Sequence, residues 1–230
     1  MGAHQRAVEH EVFVALVRSQ TPGWAQREAL AAARIVHPCV ARSCGLFLEP
    51  GGDLYIASEL VEGPTLRAAI ASGSARANWR AIVGPLAQGL AAFHEAGLVF
   101  CDLKPENVVM KAEDWPVLID FDATARSGSR PIAYTAGYAA PEQIAGEPVD
   151  HSADIYALGV LAFEMITGEM PGAVRGGWFS NGQGHWEQAL AAAEPTIPKM
   201  EWAALLRALA NAAAGRPDST KEILHALMEQ

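Results

Sequence analysis

The chain changes character at Gly63-Pro64. On the N-terminal side, apolar residues come in short runs at positions 12–17, 45–48 and 54–60. Runs of that length, rich in Val, Ile, Leu and Tyr, predict strands, with Gly51-Gly52-Asp53 as the hairpin turn between the last two. One Ala-rich helix is expected among them, over residues 25–36. His37-Pro38 ends it, because a residue before proline avoids helical backbone. Beyond Gly63-Pro64 the period turns helical. A short helix is expected over residues 65–71, and residues 79–95 carry Ile82, Leu86, Leu90 and Phe93 on one stripe. Residues 153–167 are apolar on every face, which predicts a helix buried all round. Later helices are expected over residues 187–193, 201–213 and 219–228, and two short strands over 108–110 and 117–119. This makes an α+β chain: a small strand-rich part over residues 1–62, a large helical part over 63–230, and a cleft between them where a ligand would sit.

Composition narrows the function. Half of the 230 residues are apolar and 19% are charged, as in an ordinary soluble globular protein. The net charge of −9, with no basic patch, argues against nucleic acid or an anionic membrane as partner. The apolar runs fall short of a membrane span. Three cysteines, Cys39, Cys44 and Cys101, do not suggest a disulfide framework, so a reducing compartment is expected. With no signal peptide visible, the expected location is the cytoplasm.

The chemistry is concentrated in Phe100-Cys101-Asp102-Leu103-Lys104-Pro105-Glu106-Asn107. Asp120-Phe121-Asp122 and Ala140-Pro141-Glu142 follow. Phosphoryl transfer can use this order. An Asp such as Asp102 can take the proton of an attacking hydroxyl, and Lys104 can steady the phosphoryl group in transit. Asn107 and Asp120 can hold magnesium through oxygen. Taken singly, each is an ordinary turn or capping residue.

The order and spacing of these motifs resemble the protein kinase family, most closely its Ser/Thr branch, from about Ala25 to the C-terminus. The resemblance implies a bilobal kinase-like fold with a reduced N-lobe and a mainly helical C-lobe. It implies ATP and Mg2+ as cofactors, and a protein substrate or regulatory protein as partner. It makes Asp102 and Lys104 catalytic, and Asn107 and Asp120 the metal ligands. Glu59-Leu60-Val61 becomes the hinge that holds adenine through backbone groups, with Ser58 guarding the pocket behind it. Glu142 would pair with Arg216, and Asp154 would anchor the catalytic-loop backbone. Residues 135–138 would dock a protein substrate, which argues against a small-molecule phosphotransferase.

The chain also departs from the family pattern. Between Gly2 and Gly23 there is no glycine, so no Gly-rich phosphate loop is present, and no lysine precedes Lys104. Val17 (or Ala15 in another register) stands where the phosphate-binding Lys belongs, which leaves the helix acid Glu28 without its usual partner. Arg18 or Arg6 are the available substitutes for that charge. Cys101 replaces the Arg that would meet a phosphate on the activation segment, so phosphorylation of Ser127 or Ser129 is not expected to act as an on-switch. Asp122 replaces a Gly. Two readings stay open: an active Ser/Thr kinase with a pared-down N-lobe, and a pseudokinase that uses the shape to bind a partner.

Overall fold

A computed structural model describes residues 12–17, 30–48, 54–112, 115–171, 183–193 and 198–228. Residues 25–29, the 51–53 turn, Glu28, Arg6 and Arg18 lie outside the described residues.

Three antiparallel strands form one sheet in the order β1-β3-β2: β1 (Val12–Val17), β2 (Ser43–Leu48) and β3 (Leu54–Glu59). The pairing runs from Val12 opposite Glu59 to Val17 opposite Leu54. The expected helix over 25–36 is shorter in its described part: it is helical to Ala32 and turns at Ala33-Arg34. The cause is tertiary. Ala41 N donates to Leu118 O (2.8 Å) and Leu118 N to Cys39 O (2.8 Å). The chain after His37 is thereby drawn into extended pairing with the larger part of the molecule.

Helix α1 (Leu66–Ser72) follows Thr65, whose hydroxyl accepts from Ala68 N, as an N-cap side chain should. After the single turn α2 (Ser74–Ala77) comes α3 (Trp79–Glu95). Ile82, Leu86, Leu90 and Phe93 on its inner stripe are all fully buried. The strand pairs are short: β4 (Leu98–Val99) with β7 (Ala125–Arg126), and β5 (Val108–Ala112) with β6 (Trp115–Leu118). A single turn, α4 (Pro141–Ile144), precedes α5 (His151–Thr167). Asp150 caps α5 by accepting from Ser152 N at 2.8 Å. Every residue of α5 from Ser152 to Ile166 is buried, so its all-round apolar sequence is what places it in the core.

The remaining helices, α6 (Gln183–Ala193), α7 (Lys199–Ala208) and α8 (Thr220–Met228), pack around α3 and α5. Helix α7 stops at Ala208 rather than at the expected Ala213. The carbonyls of Ala210 and Asn211 accept instead from the Arg216 guanidinium, at 2.9 and 3.1 Å. Gly159 lets α5 approach α7: a Cβ there would lie 2.8 Å from the Ala208 Cβ.

Gly63 is the tightest point of the connection out of the sheet. It has φ +148°, and a Cβ would lie 2.1 Å from the Met110 carbonyl oxygen. Next to it, Met110 N donates to Pro64 O at 2.9 Å. Gly63→Ala should therefore destabilise by more than the ordinary overpacking cost, by about 3 kcal/mol or more. Urea denaturation of the two chains measures this; equal midpoints would contradict it.

Candidate active site

The loop that carries Asp102 is held from below by one buried carboxylate. Asp154, on the first turn of α5, is 1% exposed. It accepts from Phe100 N (2.8 Å) and Cys101 N (2.9 Å), and His94 Nε2 donates to it at 2.8 Å. Phe100 meets Phe93 edge to face with ring centroids 5.3 Å apart. Cys101 takes φ +69°, a left-handed backbone uncommon for any residue with a side chain. Such strain persists only where the surroundings over-determine it. Burial first, then the Asp154 charge, drives the Cys101 thiol far above its ordinary pKa, so it packs as a neutral apolar group.

Above this base the polar residues converge. Lys104 Nζ lies 2.7 Å from Asp102 Oδ2 and donates to Thr135 Oγ1 at 3.0 Å. The Thr135 hydroxyl donates to Asp102 Oδ1 at 2.6 Å. Asn107 Nδ2 donates to the Asp102 carbonyl (3.0 Å) and to Oδ2 (3.1 Å). The Asp102 and Lys104 side chains remain 14% and 22% exposed, so both are reachable from solvent.

Glu59, Leu60, Val61 and Asp120 line one cavity of about 230 Å3, with Ala41, Val109 and Ile119 giving it apolar walls and Ser58 a hydroxyl-bearing one. Asp120 has φ +60° and is exposed. Phe121 beside it is buried, 6.1 Å from Phe93 between ring centroids. The structure thus brings Asp102, Lys104 and Asn107 into one hydrogen-bonded cluster, and Glu59, Val61 and Asp120 onto one cavity. The hydrogen bond from Ile119 N to Asn107 O (2.9 Å) joins the two groups.

Two further interactions fix the far side. Glu142 receives Arg216 through both oxygens, at 2.6 and 2.9 Å, and the Arg216 side chain is fully buried. The Tyr138 hydroxyl donates to Glu164 (2.5 Å) and accepts from Arg67 (2.6 Å), so Tyr138 folds against the helical part. Thr135, in the same segment, is the residue whose contact with Asp102 and Lys104 the sequence did not reveal. A threonine more than thirty positions away leaves no trace in spacing or periodicity.

Residues 11–211 match the family model for the protein kinase domain. The chain belongs to the protein kinase family, in its serine/threonine branch. Three relatives show the similarity. Serine/threonine-protein kinase PknB of Mycobacterium tuberculosis is 35% identical over 159 residues, covering 64% of this chain and 25% of that protein. Serine/threonine-protein kinase pkn2 of Myxococcus xanthus is 31% identical over 220 residues, covering 88% and 26%. Serine/threonine-protein kinase PknD of Mycobacterium tuberculosis is 34% identical over 155 residues, covering 64% and 23%. The chain spans about a quarter of the length of these relatives.

Asp122 is a second group whose surroundings shift its titration. Burial first and the Asp120 charge second push its carboxyl up to about 6. A raised folded-state pKa means the native state holds the proton more tightly than the unfolded chain. The contribution is therefore favourable below about pH 4 and is lost as pH rises through about 6. After allowance for partial solvent screening the loss is about 1–2 kcal/mol. Asp122→Asn should thus melt about 2–8 °C above the unchanged chain at pH 7.5 and nearly level with it at pH 4, in metal-free buffer. Differential scanning calorimetry at both values checks this, and a difference that ignores pH would contradict it.

Proposed function

We propose that this chain is a Ser/Thr protein kinase domain that moves the terminal phosphoryl group of ATP to a hydroxyl of a protein substrate. The observation that carries the reading is the cluster of Asp102, Lys104, Thr135 and Asn107. It presents one carboxylate with a cation beside it on a loop held at both ends. Asp102 accepts the proton of the attacking hydroxyl. Lys104, whose ammonium already lies against Asp102, steadies the charge of the phosphoryl group in transit. Thr135 shares both neighbours and sets the rotamers of the pair.

The donor chemistry fits magnesium. Both amide hydrogens of Asn107 point to Asp102, which leaves its carbonyl oxygen as the remaining acceptor. Asp120 adds an exposed carboxylate, and hard oxygen donors of this kind suit the ion. Among the described residues no three His, Cys, Asp or Glu side chains could hold a metal by themselves, so phosphate oxygens would complete the shell. When bound with the nucleotide, magnesium supplies charge neutralisation at those oxygens. Val61 lies beyond the end of β3, so its peptide groups stand outside the sheet ladder and can meet adenine together with the Glu59 carbonyl.

The division we propose is a reduced N-lobe over residues 1–62 and a C-lobe over 63–230, acting in the cytoplasm. Among the described residues no helix is long and apolar enough to cross a membrane. A second reading, a pseudokinase that binds a regulatory partner, is favoured by one observation: no lysine precedes Lys104. Losing that cation and a set of loop amides costs nucleotide binding about 3–6 kcal/mol, enough to move a micromolar site to millimolar.

The test incubates the chain with magnesium, labelled ATP at millimolar concentration and a mixed Ser/Thr peptide acceptor. Transfer should occur and fall by at least ~1,000-fold in Asp102→Ala, about 4 kcal/mol of barrier. Absence of both transfer and any ATP-induced rise in melting temperature would replace the catalytic reading by the binding module.

A further inference from the structure

Gln143 is a neutral residue that the chemistry above does not use, yet it is 1% exposed and both ends of its carboxamide are engaged. Its Oε1 accepts from Ala140 N at 3.0 Å. That is half of a capping box, in which a third-position Gln reaches back to the residue before its helix. A capping glutamine would need nothing more. Here Nε2 runs on, across the interior, and donates to the Cys101 carbonyl at 2.9 Å.

Cys101 is where such a bond has consequences. It immediately precedes Asp102 and holds the left-handed φ of +69°. Its N–H is held by Asp154 on α5 and its C=O by Gln143 on α4, so both peptide groups of the strained residue are clamped from different elements. The clamp also closes a ring. From Gln143 the chain runs back through Ala140 to Thr135, whose hydroxyl returns to Asp102. Helix α4 is itself fixed, because Glu142 takes both arms of the buried Arg216. The donor–acceptor path therefore leads from Arg216 through Glu142 and Gln143 to the backbone under Asp102.

We propose that Gln143 is a positioning residue that holds the Cys101 peptide in its left-handed conformation and thereby aims Asp102, coupling the 135–140 segment to the catalytic loop. Its consequence for rate rests on the phosphotransfer reading; its consequence for the loop does not. A Gln has the length to satisfy Ala140 N and Cys101 O at once. Met keeps the volume but offers neither bond, and Glu keeps the acceptor for Ala140 but cannot donate to Cys101 O when ionised.

The loop reports on itself through its own thiol. Cys101 is buried, Cys39 is buried elsewhere in the core, and Cys44 is exposed. Iodoacetamide labelling followed by mass mapping reads each site in one experiment. In the unchanged chain Cys44 should label quickly and Cys101 hardly at all. In Gln143→Met, and in Gln143→Glu should the first variant fold poorly, Cys101 labelling should rise at least tenfold. Cys39 should stay protected, which separates local release from global unfolding. The rate of peptide phosphorylation should fall about tenfold in kcat while KM for ATP stays within twofold. Cys101 labelling unchanged in both variants, or rising only in step with Cys39, overturns the proposal. If the unchanged chain transfers no phosphate, the phosphotransfer reading fails, and the labelling arm still decides whether Gln143 holds the loop.

Discussion

Everything in the candidate site stands on the carboxylate of Asp154. A buried acid is costly unless its oxygens are satisfied, and here they take two backbone N–H groups and a histidine ring nitrogen. Those two N–H groups belong to the residues just before Asp102. The carboxylate therefore converts burial in a helix that is buried from Ser152 to Ile166 into a fixed starting point for the loop that carries Asp102. The left-handed backbone at Cys101 is affordable only because the loop is gripped on both sides. Loops carry chemistry well when a rigid scaffold aims them, and α5 is that scaffold.

A second buried pair does the same for the segment that faces the loop. Arg216 and Glu142 meet through two bonds, and the same guanidinium takes the carbonyls left over at the end of α7. Such a pair contributes little net stability against an apolar replacement, but removing one partner strands a buried charge. Its value here is geometric. It fixes α4, and with it the stretch from Thr135 to Ala140 that leans on Asp102 and Lys104. Membership of the Ser/Thr kinase family follows from the whole pattern, whereas the catalytic reading leans on this local convergence.

Much of this was legible in the chain. The stripe Ile82, Leu86, Leu90 and Phe93 announced the inner face of α3, and the all-round apolar run announced the central helix, because both signals are periodic. Asp102, Lys104 and Asn107 stood out by type and spacing, and the structure brings them into one hydrogen-bonded cluster, with Asp120 on the neighbouring cavity. Thr135 and the long reach of Gln143 were not legible. Each makes hydrogen bonds between chain-distant groups, and such contacts have no period and no charge pattern. Helix ends were misjudged for a related reason. The expected helix over 25–36 gave way to pairing between Ala41 and Leu118, and α7 ended where Arg216 claimed its carbonyls. In both cases a tertiary partner outbid local propensity.

No lysine precedes Lys104 in the sequence, so what meets the nucleotide phosphates is the sharpest question. A crystal structure with magnesium and a non-hydrolysable ATP analogue at millimolar concentration answers it most directly. The account predicts adenine against the Glu59–Val61 backbone, the ion on Asn107 Oδ1 and the Asp120 carboxylate, and the terminal phosphate facing Asp102 and Lys104. An analogue seated elsewhere, or a cavity left empty at that concentration while Asp102 keeps its bonds to Lys104 and Thr135, would contradict it.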